Sequence, residues 1–374
     1  QKPATVNNDN DDDKKEDDGS NLFYPTYCYA KVQKLDFISS EIRTDTEFEY
    51  YMTVGMNSNI KKSEFKRKHL NLVILLDNSG SMGYGSWARG QTKMKTANQA
   101  CIALLAHLTA KDRIGVVTFE SDAKVIQSLE FVNDIDVDTL SNNIRAIRHA
   151  GGTNFERGYK TVLNLYAQLF QRSDFALNSS VMDNSEYDNR IILITDAQPN
   201  QGMTSSNSLL SLMSKHAQNT ENIHHRIYTT FIGVGLDFNA SLIEQISQTR
   251  GCNYYSVKTV DEFKTTMDDE FEFMVTPLVF DVCLSLQCEG DSCRIEKVYG
   301  SKSNVMQKIC DTGEIKRIHT LFPSKRSKKK GGTKGGIQLI KLAKKESYKG
   351  DHINVEVQVR FEDRNGRKYK NTQM

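Results

Sequence analysis

The stretch Leu72–Gly83, LVILLDNSGSMG, changes from apolar to polar at its centre. A near-continuous apolar run ends on Asp77, and two hydroxyl residues, Ser79 and Ser81, follow with Gly80 between them. An apolar run of this kind is typical of a strand that is buried on both faces. A helix cap would need only one oxygen acceptor, whereas this stretch supplies the oxygens of several side chains. We therefore expect these oxygens to converge where the strand ends.

The bulk composition limits the classes of protein to which this chain can belong. At 374 residues it is long enough for two or more domains, which commonly have about 100–200 residues each. Its 49 basic and 47 acidic side chains leave a formal net charge of +2, so nothing at the level of the whole chain indicates nucleic acid or a membrane surface as the partner. No apolar run approaches the roughly 20 residues of a membrane-spanning helix, and we expect no membrane segment in this chain. Because the sequence begins at Gln1, we expect a processed part of a longer parent chain.

Residues 68–275 alternate apolar strands with amphipathic helices. Strands that are buried on both faces and separated by helices predict an α/β domain with a doubly wound, Rossmann-like and mostly parallel sheet. The segment AKVIQSLEFV, after the second of these strands, is predicted to be its hairpin partner. Helices are predicted near residues 94–108, 137–148, 154–171, 206–219, 240–249 and 260–274.

The two flanks of this region have a different pattern. Residues 1–20 are acidic and almost free of apolar side chains, which predicts a disordered tail. Residues 21–67 contain an alternating strand at 47–56, and residues 276–374 contain five more predicted strands after Pro277, which is typical of antiparallel sheets. Because an isolated strand is not stable, we expect both flanks to build one antiparallel β-sandwich, into which the α/β domain is inserted.

Four of the seven cysteines crowd into one part of the C-terminal flank, at Cys283, Cys288, Cys293 and Cys310. Their spacing fits the paired arrangement of zinc sites poorly, so we expect disulfides or free thiols there. Disulfides would indicate a location outside the cell or at its surface, and reduced thiols would indicate the cytoplasm. We expect the extracellular or cell-surface location and keep the cytoplasm as the alternative.

The ends of two strands bring the candidate functional groups together. If the strands follow the common doubly wound order 3-2-1-4-5-6, the first strand, ending at Asp77, lies beside the fourth, ending at Asp196, where ligands bind in such sheets. Thr153 follows a pair of glycines and precedes a helix. With Ser79 and Ser81, these groups are hard oxygen donors that suit Mg2+, and without a third carboxylate the cation stays open to an acidic group of a partner. We expect the donors to face solvent, so that alanine at Asp77 leaves the fold intact.

Three elements in order, DNSGSM, GGTN and TDAQPN, resemble the von Willebrand factor A domain and its metal-ion-dependent adhesion site, the D-x-S-x-S…T…D pattern. The resemblance implies that Ser79, Ser81 and Thr153 supply hydroxyl ligands to a Mg2+, Mn2+ or Ca2+ ion. It also implies that Asp77 and Asp196 act largely through water. The function that it implies is not enzymatic: metal-dependent protein binding or adhesion, in which an aspartate or glutamate of a protein ligand completes the coordination of the ion.

Two alternative functions are compatible with parts of this pattern. An intracellular assembly scaffold would use the same domain without metal regulation. A metal-dependent hydrolase of the haloacid dehalogenase type would also place an aspartate after the first strand, in a D-x-D motif. Ser79 stands where that motif has its second carboxylate, which removes the general acid or base. The sequence therefore favours the binding module over the hydrolase.

Overall fold

The computed structural model describes residues 23–33, 48–58, 66–84, 92–172, 186–196, 206–219, 221–235, 245–257, 259–300, 309, 312–323, 337–350 and 352–373. The predicted acidic tail, residues 1–20, lies outside these ranges, as do Cys310 and residues 240–244 of a predicted helix. Within the described ranges, no helix is long and apolar enough to cross a membrane.

The helices and strands are labelled in chain order. The strands are β1 (Phe23–Gln33), β2 (Phe48–Ser58), β3 (His69–Asp77), β4 (Arg113–Phe119), β5 (Ala123–Phe131), β6 (Tyr187–Thr195), β7 (Ile227–Val234), β8 (Asn253–Val257), β9 (Val279–Cys288), β10 (Cys293–Val298), β11 (Glu314–Leu321), β12 (Gln338–Lys344), β13 (Val355–Glu362) and β14 (Lys368–Gln373). The helices are α1 (Lys93–Leu105), α2 (Val137–Ala146), α3 (Phe155–Gln171), α4 (Ser206–Ala217) and α5 (Val260–Val275).

The central sheet has the strand order β5-β4-β3-β6-β7-β8. Strand β3 pairs in parallel with β4 and β6, and β7 pairs in parallel with β6 and β8. Strand β5 is antiparallel to β4, as the predicted hairpin partner. Counted within this sheet, the order is 3-2-1-4-5-6. The predicted doubly wound α/β fold is therefore confirmed, including the position of β3 beside β6.

Strand β3 is buried on both faces because helices cover both sides of the sheet. Leu72 and Ile74 belong to one hydrophobic cluster with residues of α1, α2 and α5. Val73 and Leu75 belong to a second cluster with residues of α3 and α4. The unbroken apolar run before Asp77 thus packs against helices on both faces of the sheet. This two-sided burial is typical of a central strand.

The predicted helices begin where side chains cap them. The Thr92 hydroxyl accepts a hydrogen bond from the backbone N–H of Lys95 at the start of α1. Asp136 caps α2, and Asn154 caps α3 by accepting from the N–H of Arg157. Each cap satisfies backbone donors that the first helical turn leaves without a partner.

Helices α1, α2 and α4 end two or three residues before the predicted positions. In α1 the last helical residue is Leu105, although the apolar period continues to Leu108. Leu108 and Ile147, which follow α1 and α2, pack against the same core from the turns beyond the helices. Apolar periodicity therefore extends past the hydrogen-bonded helix, which explains why the predicted helix ends lie too far along the chain.

The flanking strands form two antiparallel sheets, with orders β1-β2-β12-β10 and β11-β9-β13-β14. Strand β2, from the N-terminal flank, pairs with β12 of the C-terminal flank, with Met52 opposite Ile340. Met52 belongs to one hydrophobic cluster with Val357 and Val359 of the other sheet. Both flanks thus build one sandwich, as predicted. The division into folding units at residues 68 and 275 stays a prediction.

Strands β1 and β14 are not predicted by the sequence pattern, and the expectation of five strands after Pro277 is wrong because β14 is a sixth. Strand β14, KYKNTQ, alternates exposed and half-buried positions with few apolar side chains. Strand β1 is exposed on both faces from Thr26 onward. Both are edge strands, which form by pairing with one neighbour and need little apolar surface, so they leave no alternating signal.

Two of the four crowded cysteines form a disulfide. Cys288 at the end of β9 is bonded to Cys293 at the start of β10, so the bridge joins the two sheets of the sandwich. Cys283 is a buried free thiol, and Cys310 lies outside the described residues. The described cysteines of this group thus comprise one disulfide and one free thiol, in keeping with the expectation of disulfides or free thiols.

A buried ionic cluster joins the α/β region to the sandwich. The carboxylate of Glu362, at the end of β13, accepts hydrogen bonds from Arg226 at 2.8 Å and from Arg250 at 2.6 Å. Burial raises the pKa of Glu362, but the hydrogen bonds from Arg250 and Arg226 more than offset it, so the pKa lies below its usual range. The charged carboxylate is therefore the stable form at neutral pH.

Replacing Glu362 by glutamine should leave the buried Arg226 without its ion pair and leave Arg250 with Asp281 as its remaining carboxylate partner. We expect E362Q to lower the free energy of unfolding by about 3–5 kcal/mol, the usual cost of breaking a buried ion pair, in urea denaturation at pH 7. As a control, E156Q removes the exposed pair of Glu156 with Lys160 and should change the free energy by less than about 0.5 kcal/mol.

The effect of E362Q should also depend on pH. Because folding lowers the pKa of Glu362, its contribution to stability is complete above the unfolded pKa and is lost as the pH falls through the folded value. The difference between wild type and E362Q should therefore shrink below about pH 4. Equal stability of the two proteins at pH 7, or a difference that grows in acid, would contradict this account of the cluster.

Candidate metal centre

Asp77 is the last residue of β3, and its side chain is completely buried. The hydroxyl of Thr195, the last residue of the neighbouring β6, donates a hydrogen bond to Oδ2 at 2.6 Å. The backbone N–H of Ser79 donates to Oδ1 at 2.9 Å. Burial raises the pKa of Asp77 to about 6, against the opposing effect of the hydrogen bonds from Thr195 and Ser79. Both carboxylate oxygens are thus held in fixed directions.

A continuous series of hydrogen bonds connects Asp77 to a second carboxylate. Ser79 Oγ lies 3.0 Å from Ser81 Oγ, and the Ser81 hydroxyl donates to Oδ1 of Asp196 at 3.1 Å. Asp196 directly follows β6, so the two carboxylates come from the ends of neighbouring parallel strands. The structure therefore brings these four predicted side chains together at the carboxyl edge of the sheet, as the strand order requires.

Thr153 lies on a second loop that is fastened to residues 77–81, the serine loop. The N–H of Gly80 in the serine loop donates to the carbonyl oxygen of Gly151 at 3.1 Å. A Cβ at Gly80 would lie only 3.1 Å from that oxygen, so glycine permits the close approach of the two loops. Thr153 is 2% exposed and sits two residues beyond this contact. The fifth predicted side chain is thus carried by a loop that contacts the serine loop at Gly80.

The expectation that the donors face solvent is wrong. Asp77 and Ser79 have no exposed surface, and Asp196 is 4% exposed, while Ser81 is partly exposed. Met82, next to the serine loop, enters the hydrophobic core with residues of α1 and draws the loop inward. An alanine at Asp77 would therefore disturb a buried hydrogen-bond network, and asparagine is the better test of its charge.

Two further residues belong to this cluster and are not predicted by the sequence pattern. Lys93, the first residue of α1, donates from its ammonium group to Oδ2 of Asp196 at 3.1 Å. Thr195 donates to Asp77. Neither residue type is unusual in a helix or a strand. The available signal is their position: Thr195 precedes Asp196, and Lys93 begins α1, the first α-helix that the structure describes after the serine loop.

The donor set fits a hard divalent cation. Its carboxylate and hydroxyl oxygens are the ligands that Mg2+ and Ca2+ prefer over nitrogen and sulfur. Within the part of the chain that the structure describes, no three His, Cys, Asp or Glu side chains are grouped so that they could hold a metal ion. A cation at this edge would therefore depend on the hydroxyls of Ser79, Ser81 and Thr153 as well as on the two carboxylates.

A family model described as the von Willebrand factor type A domain matches residues 72–198. The match begins within β3 and ends just beyond Asp196, so it contains the five predicted site residues. The chain contains a von Willebrand factor type A domain. This domain supplies the serine loop, the loop of Thr153 and the ends of both site-forming strands.

Two curated relatives share the von Willebrand factor type A region at low identity. The uncharacterized protein YfbK of Escherichia coli (strain K12) is 23% identical over 214 residues, which are 57% of this chain and 32% of that protein. The inter-alpha-trypsin inhibitor heavy chain H4 of Bos taurus is 22% identical over 213 residues, which are 57% of this chain and 21% of that protein. The similarity thus spans about a third and about a fifth of the length of these relatives.

A solved structure shares the fold over most of the chain. The von Willebrand factor type A structure from Catenulispora acidiphila has a TM-score of 0.51 and 16% identity, covering 95% of this chain and 75% of that one. At this identity the likeness concerns the fold alone. Because nearly the whole chain is covered, the shared fold includes the flanking sheets as well as the von Willebrand factor type A domain.

Proposed function

We propose that this chain is a divalent-metal-dependent protein-binding or adhesion module. The hydroxyls of Ser79, Ser81 and Thr153 would hold a Mg2+ ion, or Mn2+ or Ca2+ in its place. Asp77 and Asp196 would hold it largely through water. An aspartate or glutamate of a protein ligand would complete the coordination of the ion.

The observation that carries this proposal is the hydrogen-bonded series from Asp77 through Ser79 and Ser81 to Asp196. A structural cap would use only one such oxygen, whereas here oxygens from two strand ends and one loop are held together. Mg2+ demands near-ideal geometry and loses water reluctantly, so a preorganised oxygen cluster suits it. The von Willebrand factor type A domain adds support, because domains of this family bind proteins.

The charge of the cluster favours an acidic ligand. The carboxylates of Asp77 and Asp196 together with the ammonium of Lys93 carry a formal net charge of −1, and a divalent cation would bring it to +1. A carboxylate of a partner would neutralise that charge. The attraction strengthens as the interface excludes water, because the effective dielectric constant falls.

The same geometry supports a hydrolase less well. A phosphatase of the haloacid dehalogenase type needs its first aspartate to reach the substrate as a nucleophile. Both oxygens of Asp77 accept hydrogen bonds, and the side chain has no exposed surface. The scaffold alternative uses the domain without metal, so indifference of partner binding to EDTA would favour it.

We also propose an extracellular or cell-surface location. It rests on the Cys288–Cys293 disulfide, because disulfides persist in oxidising compartments and are rare in the cytoplasm. The cytoplasm is the alternative. Thiol counting by mass spectrometry on protein from its native source should find this pair oxidised, and a fully reduced pair would favour the cytoplasm.

Calorimetric titration with MgCl2 tests the ligand set. We expect one site per chain in the wild type, and D77N should weaken Mg2+ binding by about tenfold or more, because it removes a charge but keeps the side-chain shape. The control D134N alters Asp134, an exposed residue in the turn after β5, and should bind Mg2+ as the wild type does. If folded D77N bound Mg2+ as tightly as the wild type, Asp77 would not belong to the metal site.

Selection of a random phage-displayed peptide library on the immobilised chain tests the partner chemistry. With Mg2+ present, the retained peptides should share an aspartate or glutamate, elute with EDTA and fail to bind D77N. The physical reason is that the carboxylate must bond to the ion itself. Peptides that stay bound in EDTA, or that bind equally after their acidic residue is changed to its amide, would contradict a metal-bridged interface.

A further inference from the structure

Lys93 occupies a place that lysine rarely takes. Its side chain is only 11% exposed, and its ammonium lies 3.1 Å from Oδ2 of Asp196. Lysine is almost never fully buried without a partner, and a positive charge in the first turn of a helix opposes the helix dipole. Helix α1 has no acidic residue in its first turn to offset that effect. The ion pair with Asp196 is therefore the interaction that makes this placement tolerable.

The stem of Lys93 is also held in position. Gly235, directly after β7, has φ of +121°, and a Cβ built there would lie 3.2 Å from Cε of Lys93. A side chain at position 235 would thus press against the lysine stem. The start of α1, the end of β7 and the end of β6 together form the cradle that directs the ammonium to Asp196.

We propose that Lys93 is an internal cation that competes with the divalent metal for Asp196 and thereby sets the metal affinity of the site. This inference rests on the proposed function, since it concerns regulation of the same site. Asp196 accepts the Ser81 hydroxyl through Oδ1 and the Lys93 ammonium through Oδ2. A metal ion bound beside Ser81 must share Asp196 with a positive charge or displace it.

Two consequences follow from this competition. The ammonium repels an incoming cation, so the site binds metal more weakly than its oxygens alone would allow. Without metal, the same ammonium neutralises Asp196 and keeps the buried loop stable, because an unpaired buried charge is strongly destabilising. Lys93 thus makes metal binding adjustable without making the fold depend on metal.

The test is calorimetric titration of the full chain with MgCl2 in wild type, K93M and K93Q. Both substitutions remove the charge, and we expect Mg2+ to bind at least about tenfold more tightly than in the wild type. The matched control is K95M, because Lys95 is an exposed lysine in the same helical turn. It should change the Mg2+ affinity by less than about twofold.

Thermal denaturation separates this role from a purely structural one. In EDTA, K93M and K93Q should melt at a lower temperature than the wild type, and saturating Mg2+ should raise their Tm by more than it raises that of the wild type. If Lys93 had only a packing role, its substitution would lower the Tm by the same amount with and without Mg2+. A variant that folds only in Mg2+ would also support the proposal, because the metal would then replace the missing charge.

The remaining outcomes distinguish the two hypotheses. If the wild type binds Mg2+ and folded K93M and K93Q bind it equally or more weakly, the role of Lys93 is overturned and the metal site stands. If neither the wild type nor the variants bind Mg2+, the proposed function and this inference both fall. Variants that fold neither in EDTA nor in Mg2+ would also overturn the inference, because the ion should substitute for the ammonium.

Discussion

The carboxylate of Asp77 is the group on which the rest of the site depends. It ends the central strand β3, and this strand, which is buried between two layers of helices, fixes its position. A buried carboxylate is costly unless its oxygens accept hydrogen bonds, and Thr195 and Ser79 supply them. These donors tie β6 and the serine loop to Asp77, with Ser81 within hydrogen-bond distance of Asp196. The geometry of the oxygen cluster is thus a consequence of satisfying one buried charge.

A second buried carboxylate organises the opposite edge of the central sheet. Arg226 immediately precedes β7, and Arg250 lies shortly before β8. Both donate hydrogen bonds to Glu362 of the sandwich. Because these strands are parallel to β3, their amino ends lie at the edge away from Asp77. The sandwich therefore contacts the end of the sheet that the oxygen cluster does not use.

The sequence predicts the architecture well where burial dictates residue type. The apolar run before Asp77 has no polar position because helices cover both faces of β3, and this pattern identifies the central strand. The proximity of the Asp77 and Asp196 carboxylates could be predicted from the strand order alone. The burial of Ser79 could not be predicted, because it results from docking of the serine loop against Gly151 and from Met82 entering the core. Such contacts depend on segments that are distant in sequence.

The burial of Lys93 and the edge strands also could not be predicted from the sequence, for different physical reasons. A lysine at the start of an amphipathic helix looks like a solvated residue, and its burial follows from the position of Asp196 relative to α1. Strands β1 and β14 show no alternating apolar pattern in the sequence, because each is an edge strand that pairs with a single neighbouring strand. The apolar run before Asp77 therefore indicates burial on both faces, whereas residue type indicates neither the ion pair of Lys93 nor the pairing of edge strands.

Anomalous X-ray diffraction from crystals of the chain soaked in MnCl2 tests whether these oxygens hold a divalent cation. We expect one strong manganese peak about 2.1 Å from the hydroxyl oxygens of Ser79, Ser81 and Thr153. Asp77 and Asp196 should surround that position. A manganese peak elsewhere on the chain, with none at the carboxyl edge of the sheet, would rule out this metal site.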